Sequence, residues 1–172
     1  MKKFFGVLLV AVCLSSCGYS TRSLLPANIR TIHIDKIKNR INYVSERSQS
    51  TYIPLLEVKV VTALGDRFMY DGRLRVDEKE EADLVLKGNL IAYEREALRY
   101  SDNQDVQEYR IRVTVALEMF NGQGEWVWSE PTFSGETTYF PSGPSAKTET
   151  AAIEEALKDL AQRVVERTVE DW

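Results

Sequence analysis

The chain has 172 residues, 44% hydrophobic and 28% charged, and its 22 Lys and Arg against 26 Asp and Glu leave a net charge of -4. That is the make-up of a globular protein, and it excludes intrinsic disorder, collagen and a polytopic membrane protein. The acidic balance gives no reason to expect nucleic acid, and one His and two Cys are thin material for catalysis.

The first residues read as a secretory leader: Lys2 and Lys3, an apolar run from Phe4 to Leu14, then Ser15 and Ser16. Eleven residues are too few to cross a bilayer, which takes about 20. Leu14-Ser15-Ser16-Cys17 resembles the lipobox of bacterial lipoproteins, in which the cysteine is lipidated on sulfur and becomes the mature N-terminus. Cys13 would leave with the leader, so Cys17 would keep no partner for an intramolecular disulfide. Gly18, where inner-membrane retention patterns place Asp, favours the outer membrane. We therefore expect a signal peptide over 1–16, a lipidated N-terminus and short tether over 17–27, and a single α+β domain over 28–172. Loss of Lys2 and Lys3 makes the mature chain more acidic.

Within the domain, Ile32 and Ile34 flank His33 in a short strand, and residues 36–50 are a polar loop or ragged helix start. A helix is expected from Thr51 to Leu64, with Ile53, Leu56, Val60 and Leu64 on one face and Gly65 as its exit. Glu78, Glu80, Glu81 and Asp83 make an acidic run between strands. Leu84 to Tyr93 is a strand with Leu84, Leu86, Leu90 and Ala92 on one face, and polar residues 101–105 turn it into the next. From Glu108 to Phe120 the apolar residues Tyr109, Ile111, Val113, Val115, Leu117 and Met119 alternate with Arg110, Arg112, Thr114 and Glu118, a strand with one wet face. Asn121-Gly122-Gln123-Gly124 turns the chain into a third long strand, from Trp126 to Tyr139, where Pro131 marks an edge or a bulge. Ile153, Ala156, Leu157, Leu160, Ala161, Val164 and Val165 form the apolar stripe of a terminal helix from Thr148 to Glu170.

The motifs of chemistry are missing: no Gly-rich phosphate loop, no CxxC, no His-bearing metal motif and no nucleophile elbow. Asp102-Asn103-Gln104-Asp105 lacks the spacing, glycine and final glutamate of an EF-hand. His33 has no second His to share a metal. No cofactor, metal or catalytic residue is expected.

Cys17-Gly18-Tyr19 with Arg22, Leu25-Pro26 before the first strand, Ala82-Asp83-Leu84-Val85-Leu86, Glu108-Tyr109 with Thr114-Val115, and the Ala- and Glu-rich last helix together resemble LptE, the lipopolysaccharide-assembly lipoproteins. The resemblance implies an α+β fold, two helices packed on one face of a mixed, mostly antiparallel sheet of about four strands. It implies a non-enzymatic lipoprotein of the cell outer membrane, on the periplasmic side, that plugs and helps assemble the export β-barrel LptD and contacts lipopolysaccharide. The family's lipopolysaccharide-contacting basic residue aligns with Arg99, and Arg95, Arg110 and Arg112 extend the basic set, since Arg meets phosphate with paired hydrogen bonds. The alternative functions are a lipoprotein that activates a cell-wall synthase, against which the short tether speaks, and a lipid-anchored hydrolase using Glu80 or Glu81.

Overall fold

A computed structural model describes residues 25–26, 28–42, 53–79 and 82–170. The leader, the lipobox and the loop from 43 to 52 lie outside them, as do Glu80 and Glu81. The elements are β1 (Thr31–Ile34), β2 (Lys38–Asn39), α1 (Leu56–Asp71), β3 (Arg75–Val76), β4 (Leu84–Tyr100), β5 (Val106–Asn121), β6 (Trp126–Tyr139) and α2 (Glu149–Glu170). They form one mixed sheet in the order β3-β1-β4-β5-β6, with β2 paired to β4 beyond the end of β1. β1 runs parallel to β3 and β4, whereas β4, β5 and β6 form an antiparallel meander. Both helices cover the same face, α2 over β6 and β5 and α1 over β1 and β3, and the helices touch each other. The expected α+β architecture is the observed one. Among the described residues six strands replace about four, because β2 and β3 are two residues long and show no alternation to read.

The sheet buries Leu84, Leu86, Leu90 and Tyr93 of β4 and Ile111, Val113, Val115, Leu117 and Met119 of β5 against Leu56, Val60, Leu64 and Phe68 of α1 and the full stripe of α2. Each large apolar side chain removed from water contributes about 1.5–3 kcal/mol, so this layer outweighs any surface interaction. The alternation in β4 slips first after Leu90 and again around Ala97 and Arg99. A bulge follows Leu90, so Ala92 pairs with Thr114 on the uncovered face and Tyr93 takes the core position expected of Ala92. β4 also continues to Tyr100 rather than stopping at Tyr93, as one arm of the long hairpin with β5.

α1 runs to Asp71 and passes through Gly65, the expected exit. Continuing the spacing Leu56, Val60, Leu64 buries Phe68 one turn later, which offsets the roughly 1 kcal/mol that a glycine costs inside a helix. The chain leaves at Gly72, whose φ of 75° is left-handed and whose N–H reaches the Phe68 carbonyl at 3.1 Å. α2 starts where expected: the Thr148 Oγ1 accepts the Ala151 N–H at 3.2 Å, an N-cap. Pro131 sits on the edge strand β6 where the register to β5 shifts, so it is at an edge and a bulge together.

Two contacts fix the layers. Asp83, part of the acidic run, receives the N–H groups of Arg30 and Thr31 at 2.8 and 3.0 Å and the Thr31 hydroxyl at 3.0 Å on Oδ2, while its own N–H donates to Thr31 Oγ1. This clasp sets the start of β4 beside β1. At the other edge α2 comes so close to β6 that a Cβ on Gly135 would stand 2.3 Å from the Ala156 carbonyl and 2.4 Å from the Leu160 nitrogen. The next residue, Glu136, donates its backbone N–H to Asp159 of α2 at 3.0 Å.

Gly135→Ala is expected to lower stability by about 3 kcal/mol or more, since backbone must move, whereas Gly65→Ala, whose Cβ meets nothing within 4 Å, should raise it by about 0.5–1 kcal/mol; urea unfolding of both checks the pair. The hydrogen bonds from Arg30 and Thr31 hold the Asp83 carboxyl below its ordinary 3.8. A depressed folded value stabilises above the unfolded value and is lost as pH falls through the folded one. Asp83→Asn should therefore cost about 1 kcal/mol near neutrality and flatten the loss of stability below pH about 4, read from unfolding curves against pH.

Candidate functional site

The long hairpin of β4 and β5 carries all four candidate arginines. Residues directly opposite in an antiparallel pair point to the same side of the sheet. Arg99 stands opposite Glu108, Glu96 opposite Arg110 and Glu94 opposite Arg112, all even positions of β5 and hence on the uncovered face. Arg95 stands opposite Ile111, on the face under the helices. The structure thus brings Arg99, Arg110 and Arg112 together and sets Arg95 apart.

Each of the three is countered. Arg110 Nη1 lies 3.5 Å from Glu96, and Arg112 bridges Glu94 at 3.6 Å and Glu136 of β6 at 3.0 Å. Arg99 reaches Glu108 at 3.4 Å and is the most open, its side chain 63% exposed against 34% and 37% for the others. Exposed pairs of this kind are worth about 0–1 kcal/mol, so opening any one of them costs little. Beyond them the uncovered face carries Thr114, hydrogen-bonded to Ser134 at 3.3 Å, then Ala116 and Glu118, and ends at Phe120 with Lys87 over its ring.

Arg95 belongs to a different assembly. Its Nη1 donates to Glu149 Oε2 at 2.6 Å, the Tyr93 hydroxyl donates to Glu149 Oε1 at 2.6 Å, and its guanidinium lies over the Tyr109 ring, itself stacked on Tyr139 at 5.6 Å. Burial and the Glu149 carboxylate push the Tyr93 hydroxyl well above its ordinary range, so Tyr93 remains a hydrogen donor. Burial likewise raises Tyr139. Glu149 is the first residue of α2; its charge suits the helix N-terminus, and the sequence signalled no more than that. The spatial role emerges only when β4 runs past Tyr93 to bring Arg95 beneath the helix start.

Among the described residues no group of His, Cys, Asp and Glu is placed to hold a metal. His33 is half-buried with Nδ1 3.1 Å from the Asp77 carbonyl oxygen. Between the outer sides of α1 and α2 runs an open groove of about 1090 Å³ lined by Val58, Ala63, Arg67, Leu157 and Ala161, which no sequence motif announced.

The family model LptE, lipopolysaccharide-assembly, matches residues 29–168. No curated protein matches the sequence. Solved structures share the fold: a minor lipoprotein from Acinetobacter baumannii, at 16% identity and a TM-score of 0.51, covers 81% of this chain and 91% of its own. An uncharacterised lipoprotein B from Nitrosomonas europaea, at 14% identity and a TM-score of 0.55, covers 84% of each chain. A hypothetical protein from Chlamydia trachomatis, at 10% identity and 0.52, covers 81% and 95%.

Removing the Arg95–Glu149 bond with Arg95→Ala should cost about 1–2 kcal/mol, the lower part of the charge-assisted range because Arg95 is partly exposed. Arg110→Ala should stay within about 0.5 kcal/mol. Thermal unfolding of the two variants separates the structural arginine from the open-face one.

Proposed function

The chain belongs to the LptE family of lipopolysaccharide-assembly lipoproteins, which are not enzymes, and on that premise we propose that it serves as the plug and assembly aid of the outer-membrane export barrel LptD. In this reading Cys17 carries the lipid, and residues 17–27 tether a single domain, 28–172, to the periplasmic side of the outer membrane. The observation that supports it best is the uncovered sheet face. A face that is neither apolar nor of one sign, with Arg99, Arg110 and Arg112 set among Glu94, Glu96, Glu108 and Glu136 and a Thr and Ser strip beyond, suits the polar interior of a large barrel.

Lipopolysaccharide contact falls to the same face. Arg99 would meet a lipid A phosphate first, being the most exposed, with Arg110 and Arg112 behind it. A guanidinium offers phosphate two parallel hydrogen bonds, stronger than the single oblique contact to a surface carboxylate. Arg95 supports this contact indirectly: bound to Glu149, it fixes the part of β4 that leads to Arg99.

Affinity capture of a C-terminally tagged full chain from detergent-solubilised outer membranes is expected to recover a large β-barrel protein in near-equal amount. Recovery of a cell-wall synthase instead would replace the proposal with the activator reading. In the same complex, Arg99→Glu combined with Arg110→Glu should cut lipopolysaccharide capture about tenfold or more, each lost charged hydrogen bond being worth about 1.5–3 kcal/mol, while barrel recovery is unchanged.

A further inference from the structure

The sheet has two unlike ends, and the tether is attached to one of them. β1, β3 and β4 all begin at that end, with Thr31 opposite Arg75 and Ile32 opposite Leu84. β5 ends there at Asn121, and β6 begins there with Trp126 opposite Phe120. α1 ends there too, at Asp71, four residues before β3. Leu25, half-buried against the core, brings in the chain. From Cys17 to Leu25 the chain can stretch no more than about 29 Å, whereas a strand of seventeen residues such as β4 spans about 56 Å. If Cys17 holds lipid, the tether end is kept beside the bilayer and the hairpin end can stand well away from it.

Large apolar side chains are exposed at both ends, Leu55, Tyr100 and Phe140 at the far one, but those at the tether end are the ones a leaflet holding Cys17 can reach. Tyr70 is 82% exposed, Met69 63% and Trp126 64%, and none is needed by the core. Cations accompany them: Arg67 lies over the Tyr70 ring at 5.3 Å, Lys87 over Phe120 at 4.6 Å, and the exposed Arg30 is beside the entry of β1. Of the acids at this end, Asp71 is held by Arg73 at 2.8 Å, Asp77 by Arg75, and Asp83 by the backbone of Arg30 and Thr31, while Glu125 beside Trp126 accepts from Asn121 at 2.7 Å and Glu118 stands opposite Lys87. Tyr and Trp settle at the boundary between headgroups and acyl chains, where an apolar ring and a polar edge are both accommodated, and Arg and Lys pair with lipid phosphates. Among the described residues no helix is long and apolar enough to cross a membrane, so such a contact would rest on the surface.

We propose that the tether end is a membrane-resting surface, on which Met69, Tyr70 and Trp126 enter the headgroup region of the phospholipid leaflet that holds Cys17, with Arg30, Arg67 and Lys87 against its phosphates. The inference rests on lipidation of Cys17 and adds an orientation: the C-terminal end of α1 lies at the leaflet that holds Cys17, and Arg99 at the opposite end of the sheet.

The test uses the full chain, processed and lipidated in cells, purified and placed in vesicles of phosphatidylethanolamine and phosphatidylglycerol. With Cys17 lipidated, Tyr70→Cys or Tyr100→Cys supplies the reactive thiol for an environment-sensitive dye; both positions are exposed, so folding is not at issue. The dye at position 70 is expected to shift to the blue and to be quenched by spin-labelled lipid, and at position 100 to do neither. A dye at 70 as wet as that at 100 overturns the inference, as does shielding of position 70 only when LptD is added. The unsubstituted chain tells the two readings apart: if Cys17 itself takes the dye, the anchor fails and the inference with it, whereas a blocked Cys17 with a wet position 70 overturns the inference alone.

Discussion

Helix α2 meets strand β6 backbone against backbone at Gly135, and most of what distinguishes the two faces of the sheet follows from that approach. Any larger residue there would hold the helix off by the width of a side chain, leaving a gap where Ala156 and Leu160 now fill the layer. The close seat also deals with an edge. β6 is the last strand, its outward N–H groups unpaired by the sheet, and Asp159 takes one of them, at Glu136. Open strand edges invite pairing with other chains, so the same helix both covers the core and blunts the edge.

Because both helices sit on one face, the other is left to polar pairs. Its charges alternate in sign across β4, β5 and β6, Glu94 to Arg112 to Glu136 being the fullest example. Such ladders contribute little to stability, and their chemistry is therefore free to serve recognition. Arg95 illustrates the contrast. The bulge after Leu90 turns Arg95 toward the helices, where it joins the scaffold through Glu149, and the shift between Ala97 and Arg99 turns Arg99, four residues on, to the open face.

The elements with strong periodicity were legible from the residues alone. The alternation from Tyr109 to Met119 and the stripe from Ile153 to Val165 gave β5 and α2 nearly to the residue, and Pro131 announced its own irregularity. Three features were not. β2 and β3 are too short to carry a period; their pairing is decided by β1 and β4. The exit of α1 was masked by Gly65, since glycine can end a helix but need not where Phe68 still has a core to enter. The bulge in β4 has no local signal, as Ile91 and Ala92 suit either side. The candidate arginines were all visible as residue types, and alternation placed Arg110 and Arg112, but the faces of Arg95 and Arg99 depend on the bulges of β4, and Asp83 looked like one more surface acid until Thr31 stood beside it.

Strand length ties these points to the proposed role. In a compact sheet of short strands, a tether at one end would leave every surface within reach of the membrane. Here the β4–β5 hairpin is long enough that the entry of the tether and the turn near Arg99 are separate places, with Tyr70 and Trp126 at one and Tyr100 at the other. The proposed role, anchored on a leaflet with a polar face toward a barrel, draws on that separation. The bulges that let the hairpin run so far without losing its buried face, at Leu90, Ala97 and Arg99, are what the separation depends on.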